Sequence, residues 1–546
     1  MTTAVTLTDS RRRWWALGAL ALSVLVVALD LFVLTLALPT VSADLHASSG
    51  DLQWFVDAYS LVLAAALLPA GLLGDRIGRK RLLVGALALF GVASLACAYS
   101  TAAGELIAAR AVLGLAAAVI LPMSLAVLPV LFTQAERPRA IAAVGGATFL
   151  GYPIGPILGG WLLDHFWWGS VFLINLPVVV IAIVAVAFLM PESRGERRQR
   201  VDVGGIVASS AGLTSLTYGL IKAGDNGWTD PTAVATIVVG IVVLAAFVVW
   251  ERVASKARGE ALPLVDLGLF SSAGFTWGTV LSTLVSFALF GLVFAMPQYF
   301  LDVRGFDSLA AGLRMLPLIG GLALGLVAGQ RLQTPGKADR RASGAAAKVP
   351  VSPKILVAIG FAIMAAALAV GTGTTVGSGT GFAATWFAIT GLGLGVAMPT
   401  ALNAALGALS PARSGSGSAL ITAMRQVGGT IGVAVLGTVL ATVYRSKLHL
   451  PGLPAAVEHA VRGSVAGGIA TARASGSGVL LETVRNAYVH GMDVMLWVCS
   501  GIAIASALLA LAFLPGRPEV DAPGGDTTGA ADGPATSPLD KSTMTT

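Results

Sequence analysis

Long apolar stretches recur along the whole chain, and they limit its possible folds more than any other feature. Reading in windows gives about fourteen of them, each close to the ~20 residues needed to cross a hydrocarbon core. They fall near residues 14–38, 52–73, 82–99, 103–128, 140–163, 168–190, 203–222, 232–250, 273–300, 309–328, 354–370, 381–403, 418–444 and 491–514. Of the 546 residues, 56% are hydrophobic and only 12% charged, with a mean hydropathy of +0.83. A water-soluble chain of this length has too little interior to hide so much apolar surface, so lipid is its solvent. The expected fold is therefore an all-α polytopic membrane protein. Arg11-Arg12-Arg13 ahead of the first run superficially suggests a signal peptide. That run is about 25 residues long and contains Asp30, too long and too charged for a signal-peptide core, so it reads as an uncleaved first span.

The net charge of +7 and the pI near 9.6 raise the possibility of nucleic acid as a partner. The basic residues do not gather on one face, however. They recur in short clusters between apolar runs: Arg11–Arg13, Arg76–Arg81, Arg137 with Arg139, Arg194–Arg200, Arg252–Arg258 and Arg331–Lys354. The alternate connections are poor in Lys and Arg until the long one before the last helix, which fits the positive-inside rule with both termini cytoplasmic. Membrane topology explains the charge, and no nucleic acid is expected. Cys97 and Cys499 both lie in apolar runs, so there is no disulfide framework. The five His are scattered, and no metal site is expected. Residues 445–490 form a long outer connection in which Pro454–Arg462 and Leu480–Tyr488 have helical spacing. Residues 330–353 are basic and rich in Gly, Ala and Ser, and the tail beyond Arg517 has the composition of a disordered segment.

Three ionisable residues fall inside apolar runs where charge is costly: Asp30, Asp57 and Arg110. Each sits roughly 9–12 Å below the outer boundary at 1.5 Å per residue. One unpaired charge at the bilayer centre costs on the order of 3 kcal/mol, so such residues mark function by default. At a shared depth they can compensate one another, and the plain alternative is a structural ion pair. Aromatic residues near the inferred cavity, namely Tyr59, Phe149, Tyr152, Phe290 and Trp386, offer cation–π faces, although interface anchoring and packing explain each one better when it is taken singly.

Several motifs resemble one family. Gly71-Leu72-Leu73-Gly74-Asp75-Arg76-Ile77-Gly78-Arg79-Lys80-Arg81 looks like the loop between helices 2 and 3 of the major facilitator superfamily. Arg110-x-x-x-Gly114 resembles that family's helix 4 signature. Gly151-x-x-x-Gly155-Pro156-x-x-Gly159-Gly160 resembles its antiporter signature. Phe172-Leu-Ile-Asn175-Leu-Pro177 and Arg425-Gln426-Val-Gly428-Gly429 look like further family elements. The surroundings of Asp30 and Asp57 resemble the quaternary ammonium (Qac-type) multidrug pumps of the 14-helix drug:proton antiporters. One departure is that Thr422 and Gln426 stand where some of those pumps carry acids, which argues against a preference for divalent cations.

The resemblance implies two six-helix bundles, 14–190 and 273–514, separated by a linker with an inserted helix pair at 191–272 and flanked by segments 1–13 and 515–546. It also implies a proton-coupled antiporter, not an enzyme, that exports lipophilic and mainly cationic drugs, dyes and antiseptics across the cytoplasmic membrane of a bacterium. Protons are the coupling ion, with no other cofactor. Asp30, Asp57 and Arg110 are the expected coupling site. Asp75, Arg76, Arg79 and Arg81 latch the inner gate with Gly71, Gly74 and Gly78, and Gly151, Gly155, Pro156, Gly159 and Gly160 shape the moving fifth helix. Membrane lipid is the surrounding partner and a monomer the expected state. A narrow exporter of one endogenous antibiotic or lipid is the main alternative, and a proton-coupled symporter is a second, disfavoured by Gly155-Pro156.

Overall fold

The computed structural model describes residues 10–45, 47, 49–133, 136–194, 202–257, 267–333, 351–409, 414–448 and 454–516. Among them every element is helical. The first half holds α1 (Ser10–Asp44), α2 (Ser49–Ile77), α3 (Arg79–Ala98), α4 (Ala103–Ala126), α5 (Leu128–Leu131), α6 (Arg137–His165), α7 (Ser170–Leu173) and α8 (Asn175–Leu189). A hairpin of α9 (Val203–Asn226) and α10 (Pro231–Ala257) follows. The second half holds α11 (Ala273–Gln298), α12 (Ser308–Gln333), α13 (Pro353–Gly371), α14 (Thr380–Gly407), α15 (Ser414–Lys447), α16 (Ala455–Gly463), α17 (Val465–Ala474) and α18 (Gly478–Phe513). The basic segment at 195–201, the linker at 334–350 and the segments at 1–9 and 517–546 lie outside the described residues.

Among the described residues, 12 helices are long and apolar enough to cross a membrane, against the fourteen expected. The two others are α6, with 29 residues, and α9, with 24. Length does not separate them, since even α9 extends about 36 Å at 1.5 Å per residue. The long connection after α15 folds as α16 and α17, and the last helix begins at Gly478 instead of the expected 491. Tyr444 Oη donates to Val461 O at 2.8 Å, pinning α16 to the end of α15. Ser464 caps α17 by accepting from Gly467 N at 3.0 Å.

Two apolar cores organise the packing. One gathers Leu20, Phe55, Leu87, Leu113 and Phe172 from the first half. The other gathers Leu289, Phe300, Phe361, Trp386 and Met495 from the second. Lipid tails are as apolar as Leu, so tight backbone approach through small residues holds such helices together. At the α13–α14 crossing, a Cβ on Gly393 would lie 2.5 Å from Gly360 O, and one on Gly360 would lie 2.7 Å from Ala397 N. The α9–α10 hairpin packs on α2, where Ser210 Oγ donates to Ala65 O at 2.7 Å. It also reaches α15, where Trp228 Nε1 donates to Thr438 Oγ1 at 3.0 Å. The outer face of α10 leaves Val238, Ile241, Val242 and Val249 exposed, as a lipid-facing helix requires.

Gly393→Val is expected to destabilise the protein by about 1–3 kcal/mol through overpacking, read as a lowered thermal midpoint in detergent. Gly85→Ala, where an added Cβ meets nothing within 4 Å, is the control and is expected to leave the midpoint unchanged or slightly raised.

Candidate functional site

Arg110 of α4 is fully enclosed, with a relative exposure of 0%. Its Nη1 donates to Asp30 Oδ2 of α1 at 2.6 Å, and its Nε donates to Phe55 O of α2 at 2.9 Å. Its guanidinium lies 4.6 Å from the centre of the Tyr59 ring. Asp30, itself 2% exposed, accepts at Oδ1 from Asn175 Nδ2 at 3.1 Å. Asn175 opens α8 and also donates to Ser94 Oγ of α3 at 3.3 Å. One buried ion pair thus draws α1, α2, α3, α4 and α8 together. A pair this deep survives only when its remaining lone pairs and protons find partners.

Local sequence makes the approach possible. A Cβ on Gly114, one turn beyond Arg110, would collide with the Tyr59 carbonyl oxygen, so glycine lets α4 lie close enough for Arg110 to reach the α2 backbone. Gly151 does the same for α6 beside Asp30, since a Cβ there would sit 2.5 Å from Ala28 Cβ.

Asp57 is buried, at 8% exposure, but the short Arg110 bond to a carboxylate goes to Asp30. The reason is helical phase. Phe55 and Tyr59 are one turn apart and share the α2 face toward α4, whereas Asp57 lies about 200° around the helix from Phe55 at 100° per residue. It sits one turn from Trp54, which stacks on Tyr218 of α9 with ring centres 6.5 Å apart. Depth alone groups three charges, and the structure joins two of them in one tight pair.

Between the two halves lies a cavity of about 120 Å³. Of the five aromatic residues expected on its wall, Tyr59 and Phe290 line it. Trp386 does not: it is fully buried in the second core, with its ring centre 4.5 Å from that of Phe387. The side chains of Phe149 and Tyr152 lie outside the described residues, as does that of Pro156. Gly155 and Gly159 are buried and Gly160 half-buried in α6. Sequence reading gives no role to Arg425 of α15, which also lines the cavity and whose Nε donates to Ser286 Oγ at 3.2 Å. A signal exists, for Arg425 stands inside an apolar run about a third of the way along α15, as Arg110 does in α4.

At one end of the cavity the loop 74–81 ties the halves together. Asp75 Oδ1 accepts from Arg79 Nη2 at 2.7 Å and Nε at 3.1 Å, while Oδ2 accepts from Ser416 N at 3.0 Å. The carboxylate thus caps the first turn of α15, where the helix dipole favours negative charge. A Cβ on Gly415 would strike this carboxylate, and one on Gly71 would lie 2.5 Å from Ala419 Cβ. Gly74 packs on Met123. Ser418 Oγ and Ser414 Oγ donate to Pro122 O and Ala126 O of α4, at 3.1 and 3.0 Å. Gly78 turns the chain with φ 117°, a conformation that favours glycine. Arg76 is exposed, and exposed Arg81 meets Glu192 only at 3.6 Å, a contact worth little in water.

These motifs sit where a helical transporter needs them, and comparison with known proteins agrees. The chain belongs to the Major Facilitator Superfamily, whose family model matches residues 20–433. It is a polytopic membrane protein of a transporter family and not an enzyme. It is 31% identical over 525 residues to a tetracenomycin C resistance and export protein of Streptomyces glaucescens, covering 94% of each chain. It is 34% identical over 508 residues to the multidrug efflux pump LfrA of Mycolicibacterium smegmatis, covering 92% of this chain and 96% of the other. The fold resembles the crystal structure of the human organic anion transporter MFSD10, with a TM-score of 0.56 at 13% identity, over 91% of this chain and 99% of that one.

Removing Arg110 strands a buried carboxylate, so Arg110→Gln is expected to cost about 3–5 kcal/mol of stability. Asp30→Asn keeps the volume but leaves the buried Arg110 guanidinium without its counter-charge, so it is expected to cost a comparable amount. Thermal midpoints of the detergent-solubilised variants check both losses.

Proposed function

We propose that the protein is a proton-coupled antiporter that exports lipophilic compounds, cationic drugs, dyes and antiseptics among them, by alternating access across a bacterial cytoplasmic membrane. Tyr59 carries this reading. It lines the cavity and lies against the Arg110 guanidinium that holds Asp30. A proton taken up by Asp30 discharges the ion pair, leaves Arg110 held by the Phe55 carbonyl and the Tyr59 ring, and is felt at the cavity wall through that ring. Asp57 supplies a second buried carboxylate, on the α9 side of α2. The rings of Tyr59 and Phe290 give cations their π faces in the cavity.

In this reading α1–α8 and α11–α18 rock as two bundles, 14–190 and 273–514, about the cavity. α6 and α9 complete fourteen spans, and the basic loops and both termini face the cytoplasm. The Asp75–Arg79 pair on the first turn of α15 latches the inner end. Protons are the coupling ion and the unit is a monomer. Each net charge moved yields about 2.3 kcal/mol per 100 mV. Two protons for one monovalent cation at about 150 mV therefore give about 3.5 kcal/mol, or roughly 2.5 decades of gradient at 1.4 kcal/mol per decade.

A narrower reading, export of a single antibiotic, draws support from the relative described as a tetracenomycin C export protein. Ethidium accumulation in inverted vesicles, with and without a protonophore, separates the two. Uncoupler-sensitive accumulation by the wild type is expected, lost at least about tenfold in Asp30→Asn and in Asp57→Asn at equal membrane abundance. Normal transport by Asp57→Asn removes that residue from coupling, and wild type that leaves ethidium untouched favours the narrow exporter.

A further inference from the structure

Residues 445–490 carry Arg445, Lys447, Arg462, Arg473 and Arg485 against Glu458 and Glu482. On the proposed topology this connection lies outside, where basic residues are otherwise sparse. We propose that Arg473 and Arg485 hold the phosphate of an anionic phospholipid of the outer leaflet, in a slot at the turn through Gly305. The proposal rests on that topology and not on what the cavity carries.

These basic residues are not alike. Arg462 pairs with Glu458 at 2.8 Å, and Arg445 Nε donates to the Arg462 carbonyl at 3.3 Å. Arg473, in the last turn of α17, and Arg485, on α18, instead converge on Gly305. That residue is exposed and turns the chain ahead of α12 with φ 69°. A Cβ there would lie 3.8 Å from Arg473 Nη2 and 4.0 Å from Arg485 Nη2, with nothing else inside 4 Å beyond its own chain neighbours. Two guanidiniums from different helices thus flank one open point.

Like charges this close favour an anion between them. Among the described residues no carboxylate or carbonyl bonds either guanidinium, and Arg485 Nε is enclosed without a partner. Asp302 is near enough to offset part of the Arg473 charge but forms no ion pair with it. Exposed Glu482, one turn before Arg485, makes no bond to it. Arg304, beside Gly305, has committed its Nη1 to the carbonyls of Val376 and Ser378 at 2.6 and 2.7 Å. Two guanidiniums flanking an open space suit a tetrahedral oxyanion, which accepts from both sides at once. Depth selects a lipid as its bearer. Further down α18, Val494, Trp497, Ile504 and Leu508 are exposed as a lipid-facing stripe, and exposed His490 stands above it. Arg485 lies one to two turns beyond His490, about 8 Å at 1.5 Å per residue, which is the thickness of the headgroup layer on one side of a bilayer.

The test places the full chain in phosphatidylcholine nanodiscs, with or without phosphatidylglycerol, and reads backbone hydrogen exchange in residues 465–490. Phosphatidylglycerol is expected to slow exchange there about tenfold, the usual value of one charged hydrogen bond. Arg473→Gln and Arg485→Gln are each expected to remove most of that slowing. Arg462→Gln, which takes the same formal charge from a paired residue, is expected to keep it. Inorganic phosphate added to phosphatidylcholine discs is expected to do nothing. Slowing by phosphate alone, lost in the same two variants, keeps the slot and overturns the lipid as its occupant. Slowing by phosphatidylglycerol that survives in Arg473→Gln, the more exposed and so the safer variant to fold, overturns the slot. So does slowing lost equally in Arg462→Gln, or none with either ligand. A membrane-impermeant maleimide on intact cells carrying Arg462→Cys checks the topology separately, because Cys97 and Cys499 are buried. Labelling is expected, and labelling only after detergent release overturns the outer-leaflet placement and the topology together.

Discussion

The buried contact between Arg110 and Asp30 sets the terms for the rest of the first half. Two charges taken out of water are tolerated only if each is surrounded by oriented partners, and the pair with its partners spans five helices. Phe55 gives a backbone carbonyl, Tyr59 a ring face and Asn175 an amide. Gly114 and Gly151 are the steric conditions for the approach. Gly114 and Gly151 thus serve one electrostatic requirement, falling where a side chain would hold the backbones apart.

The same logic separates the two arginines at membrane depth. Arg110 is matched inside a bundle by Asp30, whereas Arg425 borders the space between the bundles and bonds to Ser286.

Much of this is legible in the amino-acid sequence. Apolar runs locate the helices, because lipid leaves the backbone no alternative, but not the start of the last, which begins at Gly478 well ahead of its run. The Gly-rich loop with Asp75 and Arg79 marks a junction, although only the folded chain shows Asp75 capping a helix of the second half that begins at Ser414. Two kinds of information are missing from the sequence. Depth places a residue along the membrane normal but not around the helix, so it groups Asp30, Asp57 and Arg110 without showing that the short bond joins Arg110 to Asp30. Burial also looks the same in a core and on a cavity wall, which is why Trp386 and Phe290 read alike. Arg425 escapes notice for a different reason: it sits in a familiar string of glycines, which draws attention away from its charge inside the span.

The hairpin of α9 and α10 has a further consequence for access from the bilayer. Two seams separate the halves, one between α2 and α15 and one between α6 and α12. α9 lies along the first, bonded to Ala65 of α2 and, through Trp228, to Thr438 of α15. Among the described residues the hairpin therefore closes the first seam toward the bilayer and does not cross the second, so a sliding of the halves at the first seam would have to break or carry these two bonds.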